Sequence, residues 1–541
     1  MKIFSPKLFS AMKTYNKKQL VSDIVAGIIV AIIALPLSIA LAIASGVSPE
    51  KGLYTAIIAG FVIAFLGGSK VNISGPTAAF ATIVAGIVAT YGLSGLVVAT
   101  IMAGVLLIIM GLCRLGSLVK YIPYTITTGF TAGIAVTIVI GQIKDFLGLT
   151  FAEGTHAVES IEKIEAIAHS ITTFNPQALI VGAISMAILI IWPKISKKIP
   201  GSLVAVVVGV IIVKAFNMNV NTIGDLYQIT NALPPFELPT FSLSTMRELL
   251  PSAFTIAILA GIESLLSCVV SDGMIGDKHD SNTELIAQGV GNIFSGLFGG
   301  IPATGAIART AANVKNGGKT PISGIVHAVV LLLILVVLMP YAAWIPMPVI
   351  AAILFMVAYN MSEWRHFVRI CKASPKSDIL VLVVTFALTV IFDLVVAIEI
   401  GMLIAVILFM KRSGDVTYIR SWDEADSGRM KQTPDGTMVL EIDGPMFFAT
   451  ADKFGTLELE QGTKVLIVRM RNVPLLDTSG MRAMRSIMAT CEKSNVHLLI
   501  SHANQQPFAV MQKDGFVHKL GIDNFVANID EALEKAGELV K

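Results

Sequence analysis

Two ionisable residues stand deep inside long apolar runs of this sequence, Glu263 and Arg309. A charge at the centre of a membrane helix costs on the order of 3 kcal/mol or more, so each needs a partner or a task. Glu263 follows Pro251 by twelve residues, which is about 18 Å along a helix and therefore deep in a hydrocarbon core about 30 Å thick. Arg309 lies about two turns into the run that follows Pro302. One reading makes the two residues a buried ion pair that orders the helices. The other makes Arg309 a fixed countercharge for an anion and Glu263 a coupling group that carries a proton beside it, since burial disfavours a charged carboxylate. Other polar residues have plainer readings. Asp393 and Glu399 flank the turn between the last two apolar runs and read as solvated, and His327 reads as a satisfied core histidine. The spacing of Ser281 and Glu284 is that of a capping box. No nucleophile–base pair, phosphate loop or metal motif accompanies them, which argues against an enzyme and against any cofactor.

The elements that position these charges contain a repeated irregularity. Residues 67–79 read G-G-S-K-V-N-I-S-G-P-T-A-A, and residues 299–311 read G-G-I-P-A-T-G-A-I-A-R-T-A. In each, a glycine-rich stretch unsuited to helix meets a proline and then a short run of small residues. Proline is favourable at a first helical position, so half-helices are expected to begin at Pro76 and at or just after Pro302. A helix N-terminus offers unpaired N–H groups and about half a positive charge. Two such ends at matching places are the mark of transporters built from inverted repeats, with an anion bound between them.

The surrounding chain supports a membrane setting. Of 541 residues, 54% are hydrophobic and 14% charged, against roughly 25% charged in ordinary soluble domains. Spans are read near 24–43, 52–67, 76–90, 94–112, 123–142, 177–193 and 200–216, then near 251–271, 284–298, 302–314, 321–340, 344–360, 378–394 and 396–410. With the N-terminus in the cytoplasm, the external loops hold only Lys51, Lys144, Lys163, Lys214 and Arg247, and most other Lys and Arg before the tail fall inside. The four cysteines lack disulfide or metal spacing and read as small hydrophobes. The net charge of +3 forms no nucleic-acid stripe.

The run D-I-V-A-G-I-I-V-A-I-I-A-L-P-L-S-I-A-L-A from Asp23 to Ala42, followed by G-L-Y at Gly52–Tyr54, resembles the opening signature of the sulphate permease (SulP) family. The runs S-G-P-T-A at 74–78, N-T-E-L-I-A-Q-G-V-G-N at 282–292 and G-G-I-P-A-T-G-A-I-A-R-T-A-A-N at 299–313 strengthen it. The resemblance implies a polytopic α-helical membrane protein of fourteen spans, arranged as two inverted seven-helix repeats in which a core moves against a gate, and working as a homodimer. It implies a bacterial inner-membrane location and an anion site at Thr77, Ala78, Ala306, Ile307, Ala308 and Arg309, with Leu37 and Leu41 from the first span. Many relatives carry Gln where this chain has Leu37. Glu263 matches an acidic coupling position, with Ser267 as the hydroxyl one turn later, and the coupling ion is H+ or Na+. The run at 262–279 most resembles the family's C4-dicarboxylate transporters. The expected function is therefore proton-coupled uptake of succinate, fumarate or aspartate. Sulphate or sodium-coupled bicarbonate transport is the alternative, ahead of an anion channel or a tethered signalling scaffold.

Beyond residue 411 charged residues return at ordinary density. Apolar stretches at 437–443, 464–471 and Val496–Ser501, each followed by an amphipathic stretch, read as a small α/β domain. L-L-D-T-S-G at 475–480 resembles the helix-opening motif of STAS domains, whose phosphorylated hydroxyl maps to Ser479; an ordinary N-cap explains the same residues. The expected layout is a cytoplasmic segment at 1–22, the transporter at 23–411 (repeats about 23–220 and 245–411), a linker at 412–434 and a cytoplasmic STAS domain at 435–541 able to bind a protein partner.

Overall fold

Every apolar run read as a span folds as helix, and the two glycine–proline breaks interrupt helix where expected. The computed structural model describes residues 4–117, 123–152, 157, 159–196, 199–239, 242–392, 394–422, 433–454 and 459–541; Asp393 lies outside them. The chain divides into two compact units, Met1–Met402 and Leu403–Lys541.

The first repeat runs α1 (Lys7–Met12), α2 (Lys17–Ala44), α3 (Pro49–Leu66), a 3-10 turn at Ala78–Phe80 leading into α4 (Ala81–Leu112), α5 (Tyr124–Leu147), α6 (Ser160–His169), α7 (Pro176–Ile195) and α8 (Gly201–Ala215). After the short α9 (Ile223–Leu226), the second repeat runs α10 (Leu243–Ile275), α11 (Ser281–Leu297), α12 (Ile307–Lys315), α13 (Ile322–Ala342), α14 (Met347–Ser362), α15 (Trp364–Ala373), α16 (Lys376–Ile391) and α17 (Leu394–Asp415). The half-helix and the following span share α4, broken at Gly92 with φ 69 and ψ −171. That backbone conformation is essentially restricted to glycine.

Packing repeats with the halves exchanged: α3 lies on α13 as α11 lies on α4, and α2 lies on α13 as α10 lies on α4. In the same way α16 packs on α5 and α7 on α14. One bundle thus holds α2–α4 with α10–α13, and another is built around α5, α7, α8, α14 and α16. Small residues set the crossings. A Cβ on Gly104 of α4 would lie 2.6 Å from the Gly289 carbonyl of α11, and one on Gly289 would lie 2.5 Å from the Gly104 carbonyl. Neither position accepts a side chain, and the two backbones meet directly, as membrane helices do at small residues.

In the second unit, β3 (Tyr418–Ser421), β4 (Thr437–Asp443), β5 (Val465–Asn472), β6 (His497–Ser501) and β7 (Phe525–Val526) form a sheet in that order, parallel except for β3 on β4. Helix α18 (Thr478–Lys493), with α19 (Gln505–Lys513) and α20 (Phe516–Leu520), covers one face through Met484, Ile487, Met511 and Phe516. Helix α21 (Ile529–Val540) covers the other through Ala532, Leu533 and Ala536. Cys491 is buried in this core and its thiol is pushed up to about 11 by that burial, as expected of a small hydrophobe. Cys113, in contrast, is exposed and Cys371 half-buried.

Candidate anion-binding site

The half-helices do not begin at the prolines. Pro76 precedes a helical start at Ala78, and Pro302 precedes one at Ile307. The intervening residues are extended: β1 (Ser74–Gly75) and β2 (Thr304–Gly305) pair antiparallel, Ser74 opposite Gly305 and Gly75 opposite Thr304. Lipid offers these backbone groups no partners, so each repeat satisfies part of the other's. The Ala306 N–H also donates to the Ile73 carbonyl at 2.8 Å. The N-cap residues, Thr77 and Ala306, make no side-chain cap, so the first N–H groups of the helices that follow remain available to a ligand. Ile307 is 42% exposed, whereas Ala78 is 6% and Ala306 9% exposed. Ala308 is exposed beside Ile307. Leu37, half-buried, and Leu41, buried, lie one turn apart on α2, which packs on α12.

Glu263 and Arg309 do not pair. Glu263 is half-buried, and its Oε2 accepts a hydrogen bond from the Thr77 hydroxyl at 2.8 Å. Arg309 is 3% exposed, and its Nη2 donates to the Pro76 carbonyl. Its Nη1 lies where a Cβ on Gly75 would be 2.5 Å away, so a side chain there would displace the guanidinium. The guanidinium therefore sits behind the Gly75–Pro76 backbone. By drawing on the Pro76 carbonyl it polarises that peptide and strengthens the Thr77 N–H as a donor. Among the described residues no ion pair joins it to a carboxylate.

Ser267 is buried at 1% exposure, donating to Asn72 Oδ1 at 2.8 Å and to Thr310 Oγ1 at 3.0 Å. It belongs to a polar scaffold that the sequence concealed, centred on Glu284. The capping-box reading of Ser281–Glu284 is incorrect: Asp280 caps α11, accepting from the N–H groups of Asn282 and Thr283 at 3.1 and 2.9 Å. Glu284 is instead 0% exposed. Its Oε2 accepts from the N–H groups of Gly68 and Ser69 at 2.9 and 3.2 Å. Its Oε1 accepts from Asn72, Ser264 and Gln288 at 2.8, 3.2 and 3.1 Å. A carboxylate that accepts from several donors is fixed in place. Asn72 extends the scaffold by accepting from Thr310, whose own oxygen takes the Ile73 N–H at 3.0 Å. Asp23 ties the start of α2 to Lys319 and Thr320 in the same manner, and is also 0% exposed. Buried acids are thus more numerous than Glu263 alone. His327 departs from expectation too: it is 0% exposed, yet neither ring nitrogen has a hydrogen-bond partner among the described residues.

In the second unit Asp477 caps α18, its Oδ1 accepting from Gly480 N–H at 2.8 Å and its Oδ2 from Phe448 N–H at 3.0 Å. A Cβ on Gly480 would lie 2.5 Å from the Met446 carbonyl, which explains the glycine of the motif. Ser479 is half-buried in the first turn of this helix.

Residues 20–385 match the sulfate permease family and residues 429–535 match the STAS domain. A putative sulfate transporter of Bacillus subtilis, YvdB, is 42% identical over 96% of this chain and 98% of its own length. The bicarbonate transporter BicA of Picosynechococcus is 30% identical over 91% of this chain and 90% of its own. Among solved structures, that of SLC26A9 superposes with a TM-score of 0.88 at 20% identity, covering 98% of this chain and 92% of that one. The transmembrane domain of a cyanobacterial BicA gives a TM-score of 0.63 at 32% identity, covering 72% and 98%.

Proposed function

Because the chain belongs to the sulfate permease family of anion transporters, we propose that its paired half-helix N-termini bind a small anion and that Glu263 couples the anion's passage to a proton. The observation that carries this reading is the 2.8 Å hydrogen bond between Thr77 and Glu263. Thr77 stands at the first helical start, so one hydroxyl hydrogen is shared between the coupling group and the anion site. While Glu263 is ionised, Thr77 donates to it. When Glu263 is protonated it no longer demands that hydrogen, and Thr77 turns to donate to the anion. Proton and anion then favour each other's binding, which is what symport requires. Arg309, behind the Pro76 carbonyl, supports the anion's charge through the backbone, Ala78, Ile307 and Ala308 bring N–H groups to it, and Ala306 leaves room with a small side chain. Leu37 and Leu41 supply an apolar wall.

The first substrate candidate is a C4-dicarboxylate, on the local resemblance at 262–279 and the apolar Leu37. Sulphate and bicarbonate form a second reading, favoured by the relatives named for those anions. Under sodium coupling, Glu263 and the Thr77 hydroxyl are the ligands, because Ser267 is engaged by the scaffold. The Lys and Arg bias supports a cytoplasmic location for both termini, and the protein works as an inner-membrane homodimer with Ser479 as a phosphorylation or partner-binding point. Purified protein in liposomes should take up labelled succinate saturably when an inward proton gradient is imposed. Ohmic currents without saturation contradict the transporter reading. Competition by sulphate but not succinate reverses the substrate order.

A further inference from the structure

Asn292 of α11 supplies the backbone beside β2 with partners: its Nδ2 donates to the Ala303 carbonyl at 2.9 Å and its Oδ1 accepts from the Ala303 N–H at 2.8 Å. Asn292 is the twelfth residue of α11, and the twelfth residue of α3 is Gly60. At this equivalent place beside β1 there is therefore no side chain. A methyl group on Gly60 would lie 3.2 Å from the Ser74 carbonyl oxygen and 4.0 Å from His327 Nδ1, with no other heavy atom within 4 Å outside its own helix. Most buried glycines of this bundle leave no such room; at Gly27, Gly104 and Gly289 the same methyl would come within 2.6 Å of a carbonyl.

The space beside Gly60 is bounded by an acceptor of β1 and by a fully buried imidazole whose two nitrogens have no partner among the described residues. Arg309 Nη1, another buried donor without one, lies against Gly75, the next residue of the same strand. Buried polar groups are satisfied almost without exception, and a buried site with two or more hydrogen-bonding walls and no side chain between them is where proteins hold water.

We propose that Gly60, the Ser74 carbonyl and His327 form a binding site for an ordered water, which does for the first repeat what the Asn292 amide does for the second. His327 is then a positioning residue: through the water it holds β1 and hence the Pro76–Thr77 peptide at the anion site. This last step rests on the anion-site reading above, whereas the water site stands on its own.

Full-length protein carrying 15N-histidine, in lipid bilayers, tests the water directly by polarisation transfer from water protons to the His327 ring, whose signals are identified by their loss in His327→Gln. Transfer to the His327 ring is expected in the unaltered chain and should be lost in Gly60→Ala. No transfer in the unaltered chain overturns the proposal, and so does transfer that persists in Gly60→Ala. A shift of the His327 signals when chloride is exchanged for gluconate would instead identify a halide occupant and also overturn it. For the positioning role, uptake of 35S-sulfate and 14C-succinate into liposomes should show KM raised roughly tenfold in His327→Leu, the scale of one lost hydrogen bond. His327→Gln, which can still meet the water, should stay within about twofold of the unaltered chain. An unchanged KM in His327→Leu, or a loss confined to the amount of folded protein, overturns the positioning role while leaving the water measurement to stand or fall separately.

Discussion

Helices α3 and α11 occupy equivalent places in the two repeats and meet the same demand with opposite residues. Each must lie against the extended strand that precedes a half-helix. The fourth, eighth and twelfth residues of α11 are Glu284, Gln288 and Asn292, all 0% exposed, and they hold the strands with side chains. The same positions of α3 are Gly52, Ala56 and Gly60. There the backbone itself comes close, Gly52 against the Ser38 carbonyl and Ala56 against Gly75. Inverted symmetry thus governs helix placement but not chemistry. One repeat is locked by a polar stripe anchored on a buried carboxylate, and the other is fitted by smallness. Glu263 lies beside this polar stripe, one residue before Ser264, which bonds to Glu284.

Breaking the polar side should have the largest effect. Glu284→Ala leaves the N–H groups of Gly68 and Ser69 and the Ser264 hydroxyl facing no acceptor in a buried site, and should cost about 3 to 5 kcal/mol. A thermal melt of the purified protein checks this; a loss below about 1 kcal/mol would mean the stripe is not what holds the strand. Breaking the small side should cost less. Gly52→Ala drives a methyl into the Ser38 carbonyl, an overpacking of about 1 to 3 kcal/mol. If Gly52→Ala melts with the unaltered chain, α3 is not fitted by close backbone approach.

The smallest effect is expected outside both helices. Lys70 and Asp277 form a 2.7 Å ion pair with about a third of each side chain exposed. The hydrogen bond from Lys70 holds the Asp277 carboxyl below its ordinary range. Its stabilisation is therefore present above the unfolded value of 3.8 and is lost as pH falls through the folded one. Asp277→Asn should cost less than about 1 kcal/mol at neutral pH, with the difference from the unaltered chain vanishing in acid. A difference that persists once the carboxyl is protonated in both states would assign the loss to something other than this charge.

Much of this was legible in the sequence because it depends on run length and punctuation. Apolar stretches bounded by charges mark the spans, and glycine followed by proline marks the interruptions at 67–79 and 299–311. The STAS strands follow from short apolar stretches alternating with amphipathic ones. What stayed hidden depends on contacts far apart in the chain. Arg309 bonds a backbone carbonyl 233 residues away, and no side-chain pattern records that. Strands of two residues show no alternation, so β1 and β2 left no periodic signal and the half-helix starts were placed too early. Glu284 sits in the first turn of its helix, where acids are ordinarily solvated, and its burial comes from α10 and the chain at Gly68–Asn72 folding over it. A polar stripe at every fourth residue, Glu284, Gln288 and Asn292, was the one available clue.

The central claim is that Glu263 carries the coupling proton and shares the Thr77 hydroxyl with the anion. Glu263→Gln keeps the shape of a protonated carboxyl and accepts no proton. Reconstituted at matched amounts of folded protein, this variant should bind the transported anion and exchange internal for external substrate. Its net uptake should be no faster with an inward proton gradient than without one. Net uptake by Glu263→Gln that an imposed proton gradient still accelerates as it does in the unaltered chain would contradict the account.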